Sequence, residues 1–492
     1  MTPPQREPTE KALAALLAPD ILALLDESPA DLRAETEDMH PADLADVAEL
    51  LPADRLHEFL SALAPARAAD VLEYLNEDVR TEYLEAITPR QAAALVVEMT
   101  PDDRVDTLEE IDEEHAEDIL SEIPAEERRE TERLLEYDPT SAAGIMTTEF
   151  VSVAADMSVE AALDSVRALA RAGRKEAMYA IYATDAQGRV SGVLSLRELL
   201  GAQPGAKVSD IAWGEVVSVP PQADREEVAR VIANYDLVAV PVVSESSHLM
   251  GVVTVDDVID VLQAEQTEDV QKLGGMEALD EPYSQIGFWR MIKKRAGWLS
   301  ALFLGEMLTA TALGAYQGEI DKRSVLAIFL PLIVSSGGNS GSQGTSLIIR
   351  ALALREVALR DWWRVAGREI MTGLALGIIL AIIGFARIEA WQAMAGQGWH
   401  VFGVEIGHNY DLALVNGAAV VQPGLHHLVA LTVALSLVGV VTFGTLVGSM
   451  LPFVMRSLGF DPASASAPFI ATLVDVTGLI IYFNVALHIL LR

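Results

Sequence analysis

The stretch PFIATLVDVTGLIIYF, residues 468–483, places one carboxylate, Asp475, inside an apolar segment close to the C-terminus. The segment contains no lysine or arginine that would neutralise this charge. A lone carboxylate at membrane depth costs about 3 kcal/mol or more, so such a residue faces a water-filled path, a partner or an ion. The stretch therefore predicts a membrane helix whose aspartate serves a transported cation.

Hydropathy predicts five membrane helices, each close to or above the roughly 20 residues that a bilayer requires. The predicted spans are residues 296–318, 324–349, about 365–386, 428–454 and 468–491. The first span carries one charge, Glu306, which either reaches the membrane interface or faces the path as a second carboxylate.

Charge divides the chain into two halves. Residues 1–285 carry 61 acidic and 21 basic side chains, a net charge of −40, whereas residues 286–492 carry a net charge of +3. An acidic body of this size excludes nucleic acid as a partner, because phosphate contact needs Lys and Arg, and it attracts cations. The chain has no cysteine, which excludes disulfides and thiolate metal sites.

The basic residues that flank the spans predict the orientation, because cytosolic loops carry an excess of Lys and Arg. One side has Arg290, Lys293, Lys294, Arg295, Arg350, Arg355, Arg360, Arg364, Arg368 and Arg456, and the other has Lys322, Arg323, Arg387 and Arg492. We therefore expect a multi-pass protein of the cell (inner) membrane with a cytosolic N-terminal half and an external C-terminus. The N-terminus lacks the basic start and apolar core of a signal peptide.

The second span contains Pro331 and then the polar run GGNSGSQG at 337–344. Backbone weakened by such a run is tolerated at membrane depth where it is buried in protein or lines a wet path. Its carbonyls could line an ion path, or its small residues could pack closely against a neighbouring helix. Asn339 adds polarity that packing does not need.

Residues 40–138 predict an acidic all-α domain of short amphipathic helices, several of which begin with proline. Asp102 and Asp106 are four residues apart on one of these helices and share a face. A solvated charged surface is the ordinary interpretation of that pair.

An internal duplication follows within about residues 146–262. GVLSLREL at 192–199 is echoed by GVVTVDDV at 251–258, and each copy predicts the order strand, helix, strand, strand, helix. The pattern resembles a tandem pair of CBS domains, small α/β regulatory modules that often bind adenine nucleotides. The resemblance makes Arg197 and Glu198 candidate nucleotide contacts and ATP a candidate ligand.

A connecting helix is predicted from Asp257 to about Leu273, closed by Gly274 and Gly275. Carboxylates at spacings of three and four destabilise a helix unless a cation lies between them, and a hard divalent cation suits oxygen ligands. A solvated acidic linker is the alternative interpretation. The position of this helix between the acidic N-terminal half and the membrane spans favours a metal site. The carboxylates are Asp257, Asp260, Glu265, Glu268 and Asp269.

The order of these parts, with PLIVSSGGNSGSQ at 331–343 and DPA…PF…DVTG at 461–478, resembles the MgtE family of magnesium channels. The resemblance covers nearly the whole chain and implies a homodimer, a pore on its two-fold axis, and a connecting helix that acts as a plug. It matches Asp475 to the pore aspartate. The regulatory magnesium sites that it implies are Asp102, Asp106, Glu226, Asp236, Asp257, Asp260, Glu265, Glu268 and Asp269.

The expected organisation is multidomain, with an N-terminal extension followed by four parts. The extension covers residues 1–39. It is followed by the helical N domain at 40–138, the CBS pair at 139–262, the connecting plug helix and linker at 263–289, and the five-helix transmembrane domain at 290–492.

We expect a channel that moves Mg²⁺ into the cytosol and is closed by cytosolic Mg²⁺. A largely hydrated ion would be held through water by Asp475 and Asn339, while Asp461 is either a helix cap or an ion-exit site. The same architecture carrying Mn²⁺ or Co²⁺ is the closer alternative. A CBS-regulated anion or solute transporter is disfavoured, because the apolar cores contain no Arg or Lys. The sequence contains no nucleophile–base set, HExxH motif or P-loop, so an enzyme is not expected.

The external loop at residues 387–427 is longer than the resemblance leads us to expect. Its histidines and an aspartate, among them His408, Asp411, His426 and His427, fit a transition-metal site or scattered solvated residues. The second interpretation is the expectation from sequence.

Overall fold

The structure is a computed structural model, in which the chain divides into two compact units, Met1–Glu265 and Gln266–Arg492. It describes residues 11–171, 180–279, 283 and 286–490, apart from 396, 398–399, 402–403, 406–407 and 416–417. Arg492, which is one of the residues behind the predicted orientation, lies outside the described residues. The first ten residues, which belong to the segment that lacks signal-peptide features, lie outside them as well.

Short helices open the first unit, and all but the last of them share one apolar core. They are α1 (Lys11–Glu27), α2 (Pro29–Glu35), α3 (Pro41–Ala48), α4 (Ala53–Ala62), α5 (Pro65–Glu73), α6 (Glu77–Ala86), α7 (Pro89–Val96), α8 (Pro101–Glu110), α9 (Glu113–Glu122) and α10 (Ala125–Leu134). Proline begins α3, α5, α7 and α8, where its missing N–H costs nothing. Ile21 and Leu32 are buried in the same core as Phe59, so the predicted extension before residue 40 contributes two helices to it.

The two CBS-like copies follow. Their elements are β1 (Val151–Ala154), α11 (Val159–Arg171), β2 (Ile181–Thr184), β3 (Val190–Leu194), α12 (Leu196–Gly201), α13 (Val208–Ile211), α14 (Arg225–Tyr235), β4 (Ala239–Val243), β5 (Leu249–Thr254) and α15 (Val255–Leu273). Strand β1 pairs parallel with β2, while β2–β3 and β4–β5 are antiparallel. The predicted combination of a helical domain with an α/β pair is confirmed.

The first strand of the second copy is much shorter than its sequence predicts. Around residues 217–219, pairing is reduced to a single parallel bridge between Val219 and Val242. Pro220 and Pro221 follow directly, and proline has no N–H with which to extend a strand ladder. The duplication is therefore imperfect at its first strand.

Among its described residues, the second unit has five helices that are long and apolar enough to cross a membrane, as predicted. Its helices are α16 (Phe288–Ala315), α17 (Gln317–Lys322), α18 (Val325–Ala353), α19 (Trp362–Met394), α20 (Leu425–Ser457) and α21 (Ala467–Ile489), with α17 too short to span. Two small hairpins, β6 (His400–Val401) with β7 (Val404–Glu405) and β8 (Leu412–Val415) with β9 (Ala418–Val421), lie between α19 and α20.

The polar run at 337–344 forms part of the continuous helix α18 and does not interrupt it. Because carbonyls within a continuous helix accept bonds from its own amides, the suggestion that they line an ion path is not supported. The glycines instead allow close approach of α20: a Cβ on Gly444 would lie 2.3 Å from the Gly337 oxygen, and one on Gly448 would lie 2.1 Å from the Gly341 oxygen. Thr345 Oγ1 donates to Gly448 O across the same contact at 2.8 Å.

Gly444→Ala should destabilise the chain by about 1–3 kcal/mol, because the new methyl group forces α18 and α20 apart. The matched control is Gly367→Ala in α19, whose Cβ would have no described atom within 4 Å. Thermal unfolding in detergent should show a lower Tm for the first variant and an unchanged or higher Tm for the second. Equal Tm values would contradict the packing role of Gly444.

Candidate ion path and regulatory carboxylates

One face of α18 carries a polar stripe, which we define as Ser336, Asn339, Gln343 and Ser346. Spacings of three and four residues place these side chains on one side of the helix. Asn339, Gln343 and Ser346 are exposed in the single chain, and Ser336 is half-buried. The opposite face, which includes Gly341 and Thr345, is buried against neighbouring helices. Helix α18 therefore packs through its small residues and leaves its amide side chains uncovered.

Asp475 lies half-buried on α21, on the same helical face as Ala471. A Cβ on Gly338 of α18 would be 3.5 Å from Ala471 Cα, so the two helices nearly touch at this depth. Asn339 directly follows Gly338, which places this residue of the polar stripe about one turn from the level of Asp475. Ser466 caps α21 by accepting from Phe469 N at 3.4 Å and thus fixes where the helix begins.

Glu306 of α16 belongs to the same region. The side of α16 next to it approaches α21, since a Cβ on Gly305 would lie 2.9 Å from Thr472 Cγ2. The carboxylate of Glu306 is exposed in the single chain and interacts electrostatically with Asp475. Of the two positions left open for Glu306 by the sequence, this geometry favours the second carboxylate.

The end of the connecting helix α15 is held by an ion-pair bridge that the sequence analysis missed. Lys272 Nζ contacts a carboxylate oxygen of Glu268, one turn earlier, and Asp461 Oδ2 at 2.7 Å. Burial opposes the charge of Lys272, but the hydrogen bonds to Asp461 and Glu268 outweigh it, so the pKa of the ammonium is raised. Asp461 Oδ1 also accepts from Ala463 N at 2.8 Å, which makes it a helix cap.

The segment that follows α15 lies against the membrane helices. Gly275 has φ +76°, and a Cβ there would lie 2.9 Å from Trp298 Nε1 and 3.1 Å from Pro468 Cγ. Trp298 Nε1 in turn donates to Ser466 Oγ at 3.1 Å. The end of the connecting helix is therefore linked to the loop and first turn of α21, the helix that carries Asp475.

In the first unit, Asp102 and Asp257 come together with Asp103, a carboxylate that the sequence analysis did not select. Burial, followed by repulsion from Asp103, raises the pKa of Asp102 to about 7. Burial and then repulsion from Asp102 raise the pKa of Asp257 well above its usual range. Asp102 Oδ1 is buried without a hydrogen-bond partner among the described residues. We call Asp102, Asp103 and Asp257 the acidic cluster.

The other predicted ligands have different surroundings. Burial and then repulsion from Asp256 and Asp103 raise the pKa of Asp260. Glu265 accepts from Arg225 Nε at 2.8 Å. Glu226 and Asp236 lie at opposite ends of α14, about 15 Å apart at 1.5 Å per residue. Of the remaining two, Asp106 is half-buried one turn from Asp102, and Asp269 is half-buried on α15.

Glu198 has a structural role at the start of α12. Its Oε2 accepts from Ser195 N at 2.6 Å, and its Oε1 accepts from Trp213 Nε1 at 2.8 Å. The Ser195 amide and the other donors lower the pKa of Glu198 despite partial burial. Arg197 is exposed, and its role as a nucleotide contact stays a prediction.

Comparison with known proteins agrees with the order of the domains. The model of the divalent cation transporter family MgtE matches residues 330–485, that of the MgtE intracellular N domain matches 39–140, and that of the CBS domain matches 142–205 and 208–264. The magnesium transporter MgtE of Thermus thermophilus is 41% identical over 357 residues, which cover 73% of this chain and 72% of the relative. The chain belongs to the MgtE family.

Its relatives are transporters and not enzymes, and the N-terminal half is the intracellular part of a multi-pass membrane protein. The MgtE of Enterococcus faecalis is 36% identical over 73% of this chain and 71% of its own length. A crystal structure of the cytosolic domain of the Mg²⁺ channel MgtE in complex with ATP is 37% identical, with a TM-score of 0.46, over 50% of this chain and all of that one.

Asp102→Asn should stabilise the full-length chain by about 1–3 kcal/mol without divalent cations, because it removes an unsatisfied buried charge. The folded pKa of Asp102, about 7, lies above its unfolded value, so the destabilising charge is absent below about pH 4 and complete only above about pH 7. The Tm difference from the wild type should grow over that interval in metal-free buffer.

The matched control is Asp118→Asn, an equal charge change on the exposed face of α9. It should show no such pH-dependent difference. A Tm for Asp102→Asn that stays equal to that of the wild type at high pH would contradict the buried, uncompensated carboxylate.

Proposed function

We propose that the chain is a Mg²⁺ channel that carries the ion into the cytosol and is closed by cytosolic Mg²⁺. The observation that supports this most directly is the uncovered polar stripe on α18, which packs against α21, the helix that carries Asp475 and that α16 approaches near Glu306. Membership of the MgtE family indicates that the transported substrate is a divalent cation. The five spans begin from a cytosolic N-terminal part, so an odd number of crossings leaves the C-terminus outside.

A second copy of the chain completes the path in this proposal. Amide and carboxylate side chains facing lipid are costly, and helix α16 has no buried residue in the single chain. A two-fold axis next to the polar stripe would cover these groups and bring both copies of Asp475 to one path. Two carboxylates there repel each other unless a cation lies between them.

Magnesium suits such a path because it prefers six oxygen ligands and gives up its water reluctantly. Asp475, Glu306 and Asn339 offer only oxygen acceptors and a weak amide donor, so they contact the ion through its water shell. No phosphate hydrolysis is needed, since two charges moving down 100 mV release about 4.6 kcal/mol.

Closure is proposed to start at the acidic cluster. Burial raises the pKa of all three carboxyl groups, and repulsion within the cluster raises the pKa values of Asp102 and Asp257 further. A divalent ion beside Asp102, Asp103 and Asp257 offsets that repulsion. Ions that bind only the compact state shift the equilibrium toward it. Asp257 lies in the first turn of α15 and Lys272 in the last, so the same helix that carries a ligand of the cluster is anchored at Asp461.

Lys272 gives this anchor a fixed positive charge. Its ammonium occupies the place between Glu268 and Asp461 that a bridging metal would otherwise take. We propose that these two carboxylates act through the lysine, and that Mg²⁺ regulation depends mainly on the acidic cluster. ATP, present in the relative's cytosolic domain, is proposed as a ligand of the CBS pair near Arg197.

Asp475→Asn should reduce Mg²⁺ flux into liposomes by at least about tenfold, because the neutral amide no longer offsets the charge of the ion. The matched control is Asp321→Asn, an exposed carboxylate at the end of α17, which should keep wild-type flux. The same assay with Mn²⁺, Co²⁺ and Ca²⁺ measures selectivity. Wild-type flux in Asp475→Asn would exclude this residue from the path.

Lys272→Gln should weaken closure, because Glu268 and Asp461 then repel each other where the ammonium had joined them. The Mg²⁺ concentration that half-inhibits flux should rise by about five- to tenfold, the effect of 1–1.4 kcal/mol. Lys207→Gln, a change of the same charge at the exposed residue directly before α13, should leave the half-inhibiting concentration unchanged. Half-inhibition of Lys272→Gln at the wild-type concentration would contradict the anchor.

A further inference from the structure

The loop between α19 and α20 brings together side chains that the Mg²⁺ proposal does not use. Glu389 lies in the last turns of α19, and His426 and His427 lie in the first turn of α20. One donor atom from each of the three residues lies within 4.8 Å of the others. For His426 and His427 this arrangement differs from the expectation of scattered residues, whereas His408 is exposed outside the group.

The distances suit an ion held by all three side chains. His427 Nδ1 is 2.7 Å from Glu389 Oε1, and His426 Nε2 is 3.7 Å from Glu389 Oε2. Two ligands of a tetrahedral Zn²⁺ at about 2.1 Å lie about 3.4 Å from each other. The observed separations bracket this value, so side-chain movements of less than about 1 Å would admit the metal.

A fourth residue fixes the tautomer of His426. Asp411 Oδ1 accepts from His426 Nδ1 at 2.8 Å and from His426 N at 3.0 Å. Asp411 is only 9% exposed, and Gln392 Nε2 donates to its other oxygen at 3.3 Å. Because Nδ1 carries the proton, Nε2 presents its lone pair toward Glu389. A carboxylate that orients a histidine in this way is the usual support of a metal ligand.

We propose that Glu389, His426 and His427 form a second metal site, specific for a borderline divalent ion such as Zn²⁺, with Asp411 as the positioning residue. Two imidazoles and one carboxylate leave one position of a tetrahedral ion for water. Nitrogen ligands favour Zn²⁺, Ni²⁺ and Cu²⁺ over Mg²⁺. In the proposed orientation the site is external and joins the ends of α19 and α20.

The test is titration of the full-length chain in detergent with Zn²⁺, in competition with a chromophoric chelator. The wild type should bind one Zn²⁺ per chain that a large excess of Mg²⁺ does not displace. His426→Gln and His427→Gln should each weaken that binding by about 100-fold or more, while Asp411→Asn should weaken it by about 10–100-fold and keep the stoichiometry. Co²⁺ should give the visible absorption of a four-coordinate site in the wild type and not in His427→Gln.

Two controls separate this site from other binding. His408→Gln changes an exposed histidine of the same loop and should bind Zn²⁺ as the wild type does. Asp475→Asn should also keep Zn²⁺ binding, so a failed ion path and a failed second site give different results. Displacement by Mg²⁺, equal affinity in His426→Gln, or no bound Zn²⁺ in the wild type would each overturn the proposal and leave a hydrogen-bonded His–Glu pair.

Discussion

Polar and charged groups at membrane depth need a partner or water, and this constraint shapes the second unit. Asn339, Gln343 and Glu306 are uncovered in the single chain, and Asp475 is half-buried on α21, which packs against α18. In lipid each of these groups would cost free energy. The same helices that expose them bury small residues on their other faces. The single chain thus exposes a polar surface with a well-packed support behind it, and in the proposed two-copy assembly that surface is one half of the ion path.

The close packing of α18, α20 and α21 determines where the carboxylate of Asp475 lies. Gly337 and Gly444 let α18 and α20 approach, and Gly338 lets α21 approach α18 near the level of Asp475. At the start of α21, Trp298 and Ser466 connect the same helix to the segment that follows the connecting helix. A short series of direct contacts therefore connects Lys272 and the segment that follows it to α21, the helix that carries Asp475.

The features that could be predicted from the sequence are those that local sequence patterns determine. Hydropathy located five spans, and proline positions located the N-domain helices, because both depend on residues close together in the chain. The glycines and polar residues at 337–344 predicted a weakened helix and left close packing as the alternative; in a packed bundle, neighbouring helices favour the close approach that glycine permits. Lys272 and its partner Asp461 are 189 residues apart, so no local pattern reveals their contact. The approach of Asp103 to Asp257 and of Glu389 to His427 likewise depends on the tertiary fold.

Chemical modification of single cysteines tests the central claim most directly, because the chain has no native cysteine. Asn339→Cys lies on the polar stripe, and Leu374→Cys lies on an exposed apolar face of α19. A charged, water-soluble thiol reagent should react with the first variant in liposomes and block its Mg²⁺ flux, and it should not react with the second. An unreactive Asn339→Cys, or a modified one with undiminished flux, would contradict a water-filled path along α18.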